Sequence, residues 1–351
     1  DLCGRYAYCW PRDAVTISQA LDMVGMYKDA DNFYNIFLRK TQSKNGMWEQ
    51  RFYTDGRLAP CWGYQIDETG SVVAGLYQHF KIKEFRLKEK DINLLKNNLD
   101  MCENAIEFLK KYMDHLLNKD EAKEEIDTKY SYLDRSQIYK HVSYDLWEMN
   151  EGVHLYSLSA IYAAFRAMEL IYKELQKDNK KFKLPENFDE LEEYKELIRN
   201  YILENLCDKN QNILKRNTKD DNVDISIMGA ITPFNVFDPT EKLIQNTIQK
   251  INLTLRTYTG GYLRFEHDGY MGGNNPWPIA TLWMYIYYKK VGAINEANEC
   301  LKFVIDTATP LGFLAEQIDN EKMKSKWVIG LGWSHAMFIL SLGLEELLNK
   351  D

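Results

Sequence analysis

Two carboxylates in this chain stand where a proton could be given or taken. Glu148 lies in YDLWEMNEG (144–152), between Trp147 and Met149. A carboxyl held against apolar groups has a raised pKa and can act as an acid. Glu148 and Glu151 have a second reading, because acidic residues also favour a helix N-terminus and a long apolar run follows. Glu316 lies in FLAEQIDNEKMKSKWVIGLGWSH (313–335), beside Gln317 and ahead of Trp333-Ser334-His335. Its sequence neighbours are polar, so a hydrated setting is expected. Other segments carry Trp10, Arg12 and Asp13 (YCWPRDA, 8–14), Trp62 and Asp67 (CWGYQIDETG, 61–70) and Trp277 (GYMGGNNPWP, 269–278). Aromatic platforms with carboxylates and forked cations are the chemistry of sugar recognition. Two carboxylates across a sugar are the chemistry of glycoside hydrolysis. Taken singly, each Trp could be core and each acid a cap. The Arg12–Asp13 pair could be a structural ion pair on a Pro-initiated helix.

The elements that carry these residues are read from periodicity. Run 94–116 has Leu95, Leu99, Cys102, Ile106, Leu109, Met113 and Leu116 at threes and fours, the stripe of a helix buried on one side. Runs 29–40, 188–203, 240–255 and 293–305 repeat the pattern. Runs 14–25, 70–80, 152–168, 225–231, 276–288 and 331–344 are apolar nearly all round, as a helix buried on every side must be. The two kinds alternate, six inner and five outer. That predicts an all-α double ring of helices. The missing outer helix would precede residue 13, so the first helix is expected to be absent and the domain N-terminally incomplete. Segments 46–62 and 257–274 read as β-hairpins, and 118–129 and 178–187 as charged loops. No fixed-period repeat favours a solenoid, and residues 1–351 read as one domain. These Trp, Arg, Asp and Glu residues fall just before inner helices, which predicts that they gather at one end of the ring.

Composition narrows the partners. The 351 residues are 45% hydrophobic and 13% aromatic, enough for a large core, and the net charge is −8. An acidic chain does not suit nucleic acid or an anionic membrane surface. No uncharged apolar stretch reaches the roughly 18 residues of a membrane span. Six Cys and six His lack metal-ligand spacing, so no metal or organic cofactor is expected. Unpatterned Cys point to the cytoplasm, although a chain starting at Asp1 leaves secretion open. Oligomeric state is not legible.

The same motifs resemble a known family, the glucoamylase-type inverting glycosidases of glycoside hydrolase family 15. YCWPRDA is similar to its substrate-binding Trp-Arg-Asp turn and YDLWE to its general-acid motif. GGYLRFEHDGYMGGNNPWP resembles its Arg-bearing hairpin, and AEQ followed by GWSHA its general-base segment. The motifs run in family order from residue 8 to 336. The resemblance implies an (α/α)6 barrel and release of β-glucose from non-reducing ends of α-glucans or malto-oligosaccharides. It implies Glu148 as general acid and Glu316 as general base, with Arg12, Asp13 and Arg264 on sugar hydroxyls. Trp62 and Trp147 would line the first subsites, and Trp10 and Trp277 would join them. Met149 stands where family glucoamylases often place a second Glu. Linkage preference is therefore open to trehalase, glucodextranase or isomaltose-type activity, and a non-catalytic glucan-binding homologue is the rival of another class. An inverting pair needs about 6.5–9.5 Å between carboxylates, against about 5–5.5 Å for a retaining one.

Overall fold

The computed structural model describes residues 6–61, 63–117 and 143–348. The expected loop 118–129 and the substrate-binding assignment of Trp62 lie outside the described residues. The chain is mostly helical and divides into two compact units, Asp1–Ile202 and Leu203–Asp351.

In the first unit, α1 (Pro11–Met23) is followed by α2 (Tyr27–Asn32), a π-helical segment (Phe33–Leu38) and the short α3 (Arg39–Thr41). Then come α4 (Ile66–Leu87), α5 (Ile92–Leu116), α6 (Leu155–Asp178) and α7 (Glu190–Asn205). The inner helices α4 and α6 are buried through most of their length, as the apolar runs 70–80 and 152–168 within them require. Helix α5 starts at Asp91, whose carboxylate accepts from Leu94 N at 3.2 Å. Its stripe of Leu94, Leu95, Met101, Cys102, Ile106, Leu109 and Met113 is buried. Two glycines let neighbours press closely on α4. A Cβ at Gly70 would stand 2.6 Å from the Ala160 carbonyl carbon of α6, and one at Gly75 2.4 Å from Val15 of α1. Histidine 79, fully buried on α4, bonds Asp22 of α1 through Nδ1 (2.6 Å) and Asp31 of α2 through Nε2 (2.9 Å). Tyr34 stacks on the imidazole, and Lys83 links Asp31 to Asp91.

In the second unit, a 3-10 helix (Ile225–Ala230), α8 (Lys242–Thr254), α9 (Pro278–Lys290), α10 (Ile294–Asp306) and α11 (Gly332–Leu348) follow one another. The fourth inner segment is therefore one short 3-10 turn pair rather than a full α-helix. Asp224 caps it by accepting from Ser226 N at 2.6 Å. Helix α9 is buried continuously from Pro278 to Tyr288. Each enclosed Leu, Ile or Met there contributes roughly 1.5–3 kcal/mol. It packs against α10 and α11.

Among the described residues, four β ribbons are present, all two-stranded and antiparallel. Strand β1 (Tyr8–Cys9) pairs with β2 (Phe52–Tyr53), so segment 46–62 joins a distant strand, and it also folds back on itself through the Phe52–Leu58 bridge and the bonds Tyr53 N to Arg57 O (2.7 Å) and Ala59 N to Arg51 O (3.3 Å). Strands β3 (Ser143–Tyr144) and β4 (Glu151–Gly152) form the second ribbon, and β5 (Cys207–Asp208) and β6 (Ile213–Leu214) the third. The longest, β7 (Ala315–Asp319) with β8 (Lys324–Ile329), is a hairpin that helical periodicity does not reveal. Segment 257–274 holds isolated bridges, Arg256–Tyr262 and Tyr262–Trp277, in place of a regular hairpin.

Candidate active site

The first unit gathers Trp10, Arg12, Asp13 and Glu148. Strand β1 delivers the chain to Trp10, which is extended (φ −85°, ψ 122°) and is the N-cap of α1, with Pro11 preset for the first turn. The indole Nε1 donates to Glu148 Oε1 at 2.7 Å. Glu148 sits in the tight turn between β3 and β4, on left-handed backbone at φ +61°. Asp145 organises that turn. Its carboxylate accepts from Met149 N (2.8 Å), Asn150 N (3.2 Å) and Asn150 Nδ2 (2.8 Å). Gln65, just ahead of α4, donates to Asp145 O at 2.6 Å and ties the turn to that helix.

This geometry removes the helix-capping reading of the YDLWEMNEG acids. Helix α6 begins only at Leu155, with His154 as its extended N-cap. Glu148 is in the preceding turn and Glu151 in β4, so neither caps the helix. Glu148 is half-buried, and burial pushes its carboxyl above the ordinary range. Arg12, Arg51 and the Trp10 N–H pull it back in part, and Asp13 adds to the rise. The side chain nevertheless keeps partial solvent exposure.

Arg12 is only 4% exposed. Its guanidinium reaches Asp67 at 2.9 Å, Asp13 at 3.1 Å and Glu68 at 3.2 Å. Its backbone N–H also donates to Glu68 Oε2 at 2.6 Å. The Arg–Asp pair is thus a structural ion pair, but one inside a larger cluster. Three carboxylates around one cation leave an excess of negative charge. Burial, then the neighbouring acids against the pull of Arg12, holds Glu68 well above the usual carboxylate range. Asp13 keeps a 21% exposed side chain and is the open member. Sequence reasoning missed Glu68 and Arg51. Arg51 lies over the rings of Tyr8 (5.1 Å) and Trp10 (5.4 Å) and donates from Nε to Pro60 O at 2.6 Å. Its signal was an Arg among aromatics in WEQRFY. Trp147 is buried beside the turn, and Met149 is exposed.

The second unit gathers Arg264, Trp277 and Glu316 with their supports. Trp277 is the extended N-cap of α9, again followed by Pro, and its N–H donates to Tyr262 O at 2.8 Å. Arg264 is clamped to Asp268 by two 2.7 Å bonds, and its guanidinium carbon stands 4.5 Å from the Trp277 ring centroid. Glu316 is on β7. Between the Ala315–Ile329 and Gln317–Lys326 pairs, β8 carries one residue in excess, and Trp327 there is left-handed at φ +64°. Such a bulge re-aims side chains. Ser334 Oγ donates to Ala315 O at 2.9 Å, and His335 Nε2 accepts from Leu314 N at 3.1 Å, so the start of α11 fastens this strand. Burial lowers the His335 pKa, in keeping with a neutral acceptor. Glu316 is 5% exposed, not the hydrated group expected from its polar sequence neighbours. Polarity reaches it as an amide instead: Gln317 Nε2 is 3.4 Å from Oε2. Trp333 packs edge-on against Trp283.

No helix among the described residues is long and apolar enough to cross a membrane. The five described cysteines, Cys9, Cys61, Cys102, Cys207 and Cys300, are free thiols.

Comparison with known proteins adds the following. An uncharacterized glycosyl hydrolase of Methanocaldococcus jannaschii is 27% identical over 348 residues, 95% of this chain and 50% of that protein. Trehalase 2 of Sulfolobus acidocaldarius is 28% identical over 123 residues, 35% of this chain and 21% of that one. The chain thus spans about half the length, or less, of these curated relatives. A bacterial glucoamylase solved in complex with acarbose superposes with TM-score 0.70 at 17% identity, over 97% of this chain and 49% of that one. That likeness gives the fold, an all-α (α/α)6 barrel. The sequence model described as Glycosyl hydrolases family 15 matches residues 35–342. Across a match of that extent, the chain belongs to glycosyl hydrolases family 15.

Proposed function

We propose that this chain carries the catalytic domain, residues 1–351, of an inverting exo-acting glycosidase that releases β-glucose from non-reducing ends of α-glucans or malto-oligosaccharides. The observation that carries the reading is the Trp10–Glu148 contact, a half-buried carboxyl with a raised pKa that accepts from the indole N–H. Glu148 protonates the glycosidic oxygen as the bond to the anomeric carbon breaks. Glu316 takes a proton from the water that attacks that carbon from the opposite face. As Glu148 gives up its proton, the Trp10 N–H, Arg12 and Arg51 stabilise the carboxylate that forms, an effect stronger in the transition state than in the ground state. Asp13 takes sugar hydroxyls, with Arg12 aiming it. Arg264 and Trp277 offer a cation and a ring face from the hairpin side, and Trp147 and Trp62 complete the first subsites. The chemistry calls for no metal or organic cofactor, and a cytoplasmic location stays the reading of the cysteines.

A second reading on the same machinery is trehalose hydrolysis. It is favoured by the similarity to Trehalase 2 and by an exposed Met149 beside the acid. Proton NMR of maltotetraose with the protein, following the anomeric signals in the first minutes, tests the first reading. β-Glucose appearing first is the expected result, α-glucose first means retention, and turnover of trehalose alone selects the second reading. Glu148→Gln and Glu316→Gln are each expected to lower turnover at least about 10²-fold, the scale of general acid–base catalysis. A near-native rate in either variant removes that residue from its role.

A further inference from the structure

A chain of polar groups runs from the surface to Glu316. Lys326, on β8 with a 35% exposed side chain, places Nζ 3.4 Å from Asn275 Oδ1. Asn275 Nδ2 donates to Gln317 Oε1 at 2.9 Å, and to Met271 O at 3.4 Å. Gln317 Nε2 then faces Glu316 Oε2 at 3.4 Å. Asn275 and Gln317 are both buried, at 4% and 0% exposure.

The direction of this chain follows from what each group can do. An ammonium only donates, so the Asn275 oxygen must face Lys326. A backbone carbonyl only accepts, so the Asn275 NH2 must face Met271. Both constraints select the same amide orientation. The NH2 of Asn275 then demands the oxygen of Gln317, which turns the NH2 of Gln317 toward Glu316. An N–H aimed at a carboxylate favours its ionised form. Reversal of the Gln317 amide would present an oxygen to Glu316 and favour the protonated form.

We propose that Lys326 is a positioning residue which, through Asn275 and Gln317, keeps Glu316 ionised and oriented as the base. The inference rests on the reading of Glu316 as general base. Asp319, 3.9 Å from Nζ on β7, is a charged group that faces Lys326. The 270–273 loop that packs beside it brings no charge, Gly272 being the point of closest approach.

The test compares Lys326→Met with Lys326→Arg, which keeps a donor in place. In Lys326→Met the acidic limb of kcat against pH on maltotetraose should move up by about one pH unit, a tenfold change in the ionisation equilibrium. KM should change little, and Lys326→Arg should restore the limb. A carbon-13 titration of glutamate-labelled protein gives the same answer without substrate, the Glu316 signal being the one absent from Glu316→Gln. Its midpoint should rise in Lys326→Met and return in Lys326→Arg. An unmoved midpoint in Lys326→Met overturns the inference while leaving Glu316 as base. An active Glu316→Gln overturns the underlying reading instead, and the two failures are separate.

Discussion

Replacing Trp10 by Phe removes one N–H and little else. The phenyl ring can still meet Tyr8, whose centroid is 6.1 Å from the indole, and still lie under Arg51. Pro11 still requires extended backbone before it, which Phe accepts. What is lost is a 2.7 Å bond to Glu148 Oε1. Hydrogen bonds to charged groups contribute about 1.5–3 kcal/mol, and one pKa unit corresponds to about 1.4 kcal/mol. Glu148 is half-buried, so water can replace part of the bond, and the lower end of the range applies. The sign is fixed: the donor favours the carboxylate, so its loss raises the pKa. The alkaline limb of kcat/KM, where the acid loses its proton, should therefore move up by about one unit. The plateau rate should fall about tenfold, because the same donor no longer stabilises the carboxylate forming in the transition state. Glucose release from maltotetraose between pH 4 and 9 measures both. A limb that stays in place or moves down, in a variant with native circular dichroism and melting temperature, refutes the role assigned to Trp10.

Two further expectations concern stability. Gly70→Ala would set a Cβ 2.6 Å from the Ala160 carbonyl carbon and 2.7 Å from its oxygen, both backbone atoms. Overpacking of about 1–3 kcal/mol, less about 1 kcal/mol for the better helix former, leaves a net loss of up to about 2 kcal/mol in urea unfolding; a more stable variant contradicts the packing argument. His79 is held above its ordinary value: burial alone would lower it, but the bonds to Asp22 and Asp31 more than offset that. A raised folded pKa gives stability that is complete below about pH 6.5, the unfolded value, and is lost as pH rises through the folded one. The melting temperature should fall from about pH 6.5 upward, and His79→Gln should flatten that fall; an unchanged slope assigns it to other groups.

The helical rings were legible because both patterns depend on side-chain polarity alone. A one-sided stripe and an all-round apolar run are visible at 94–116 and 276–288 before any contact is known. The short 3-10 segment at 225–230 was legible as buried but not as non-α, since six residues with Ser226 alone polar are too few to carry a period. The 315–329 hairpin escaped because half of it, KSKWVI, alternates weakly and carries a bulge. In the site, Trp10 and Glu148 could be named from residue type, but their direct contact spans 138 positions. Glu68 looked like an ordinary first-turn acid of α4, a place it also occupies. Only the structure shows that the same carboxylate serves Arg12. The Lys326–Asn275–Gln317 chain was invisible for the same reason, its members being ordinary surface and amide residues until the strands align them.

The left-handed backbone at Glu148 has a consequence for the history of this chain. A side chain at φ +61° costs about 1–2 kcal/mol relative to the right-handed region, and glycine would relieve it. Lineages or libraries screened for heat resistance alone would thus drift toward glycine at 148, gaining robustness as they lost the proposed acid. Retention of Glu there sets selection for chemistry against selection for durability at a single position. Ancestral or thermostabilised versions of this chain should be sought with that residue held fixed and stability added elsewhere.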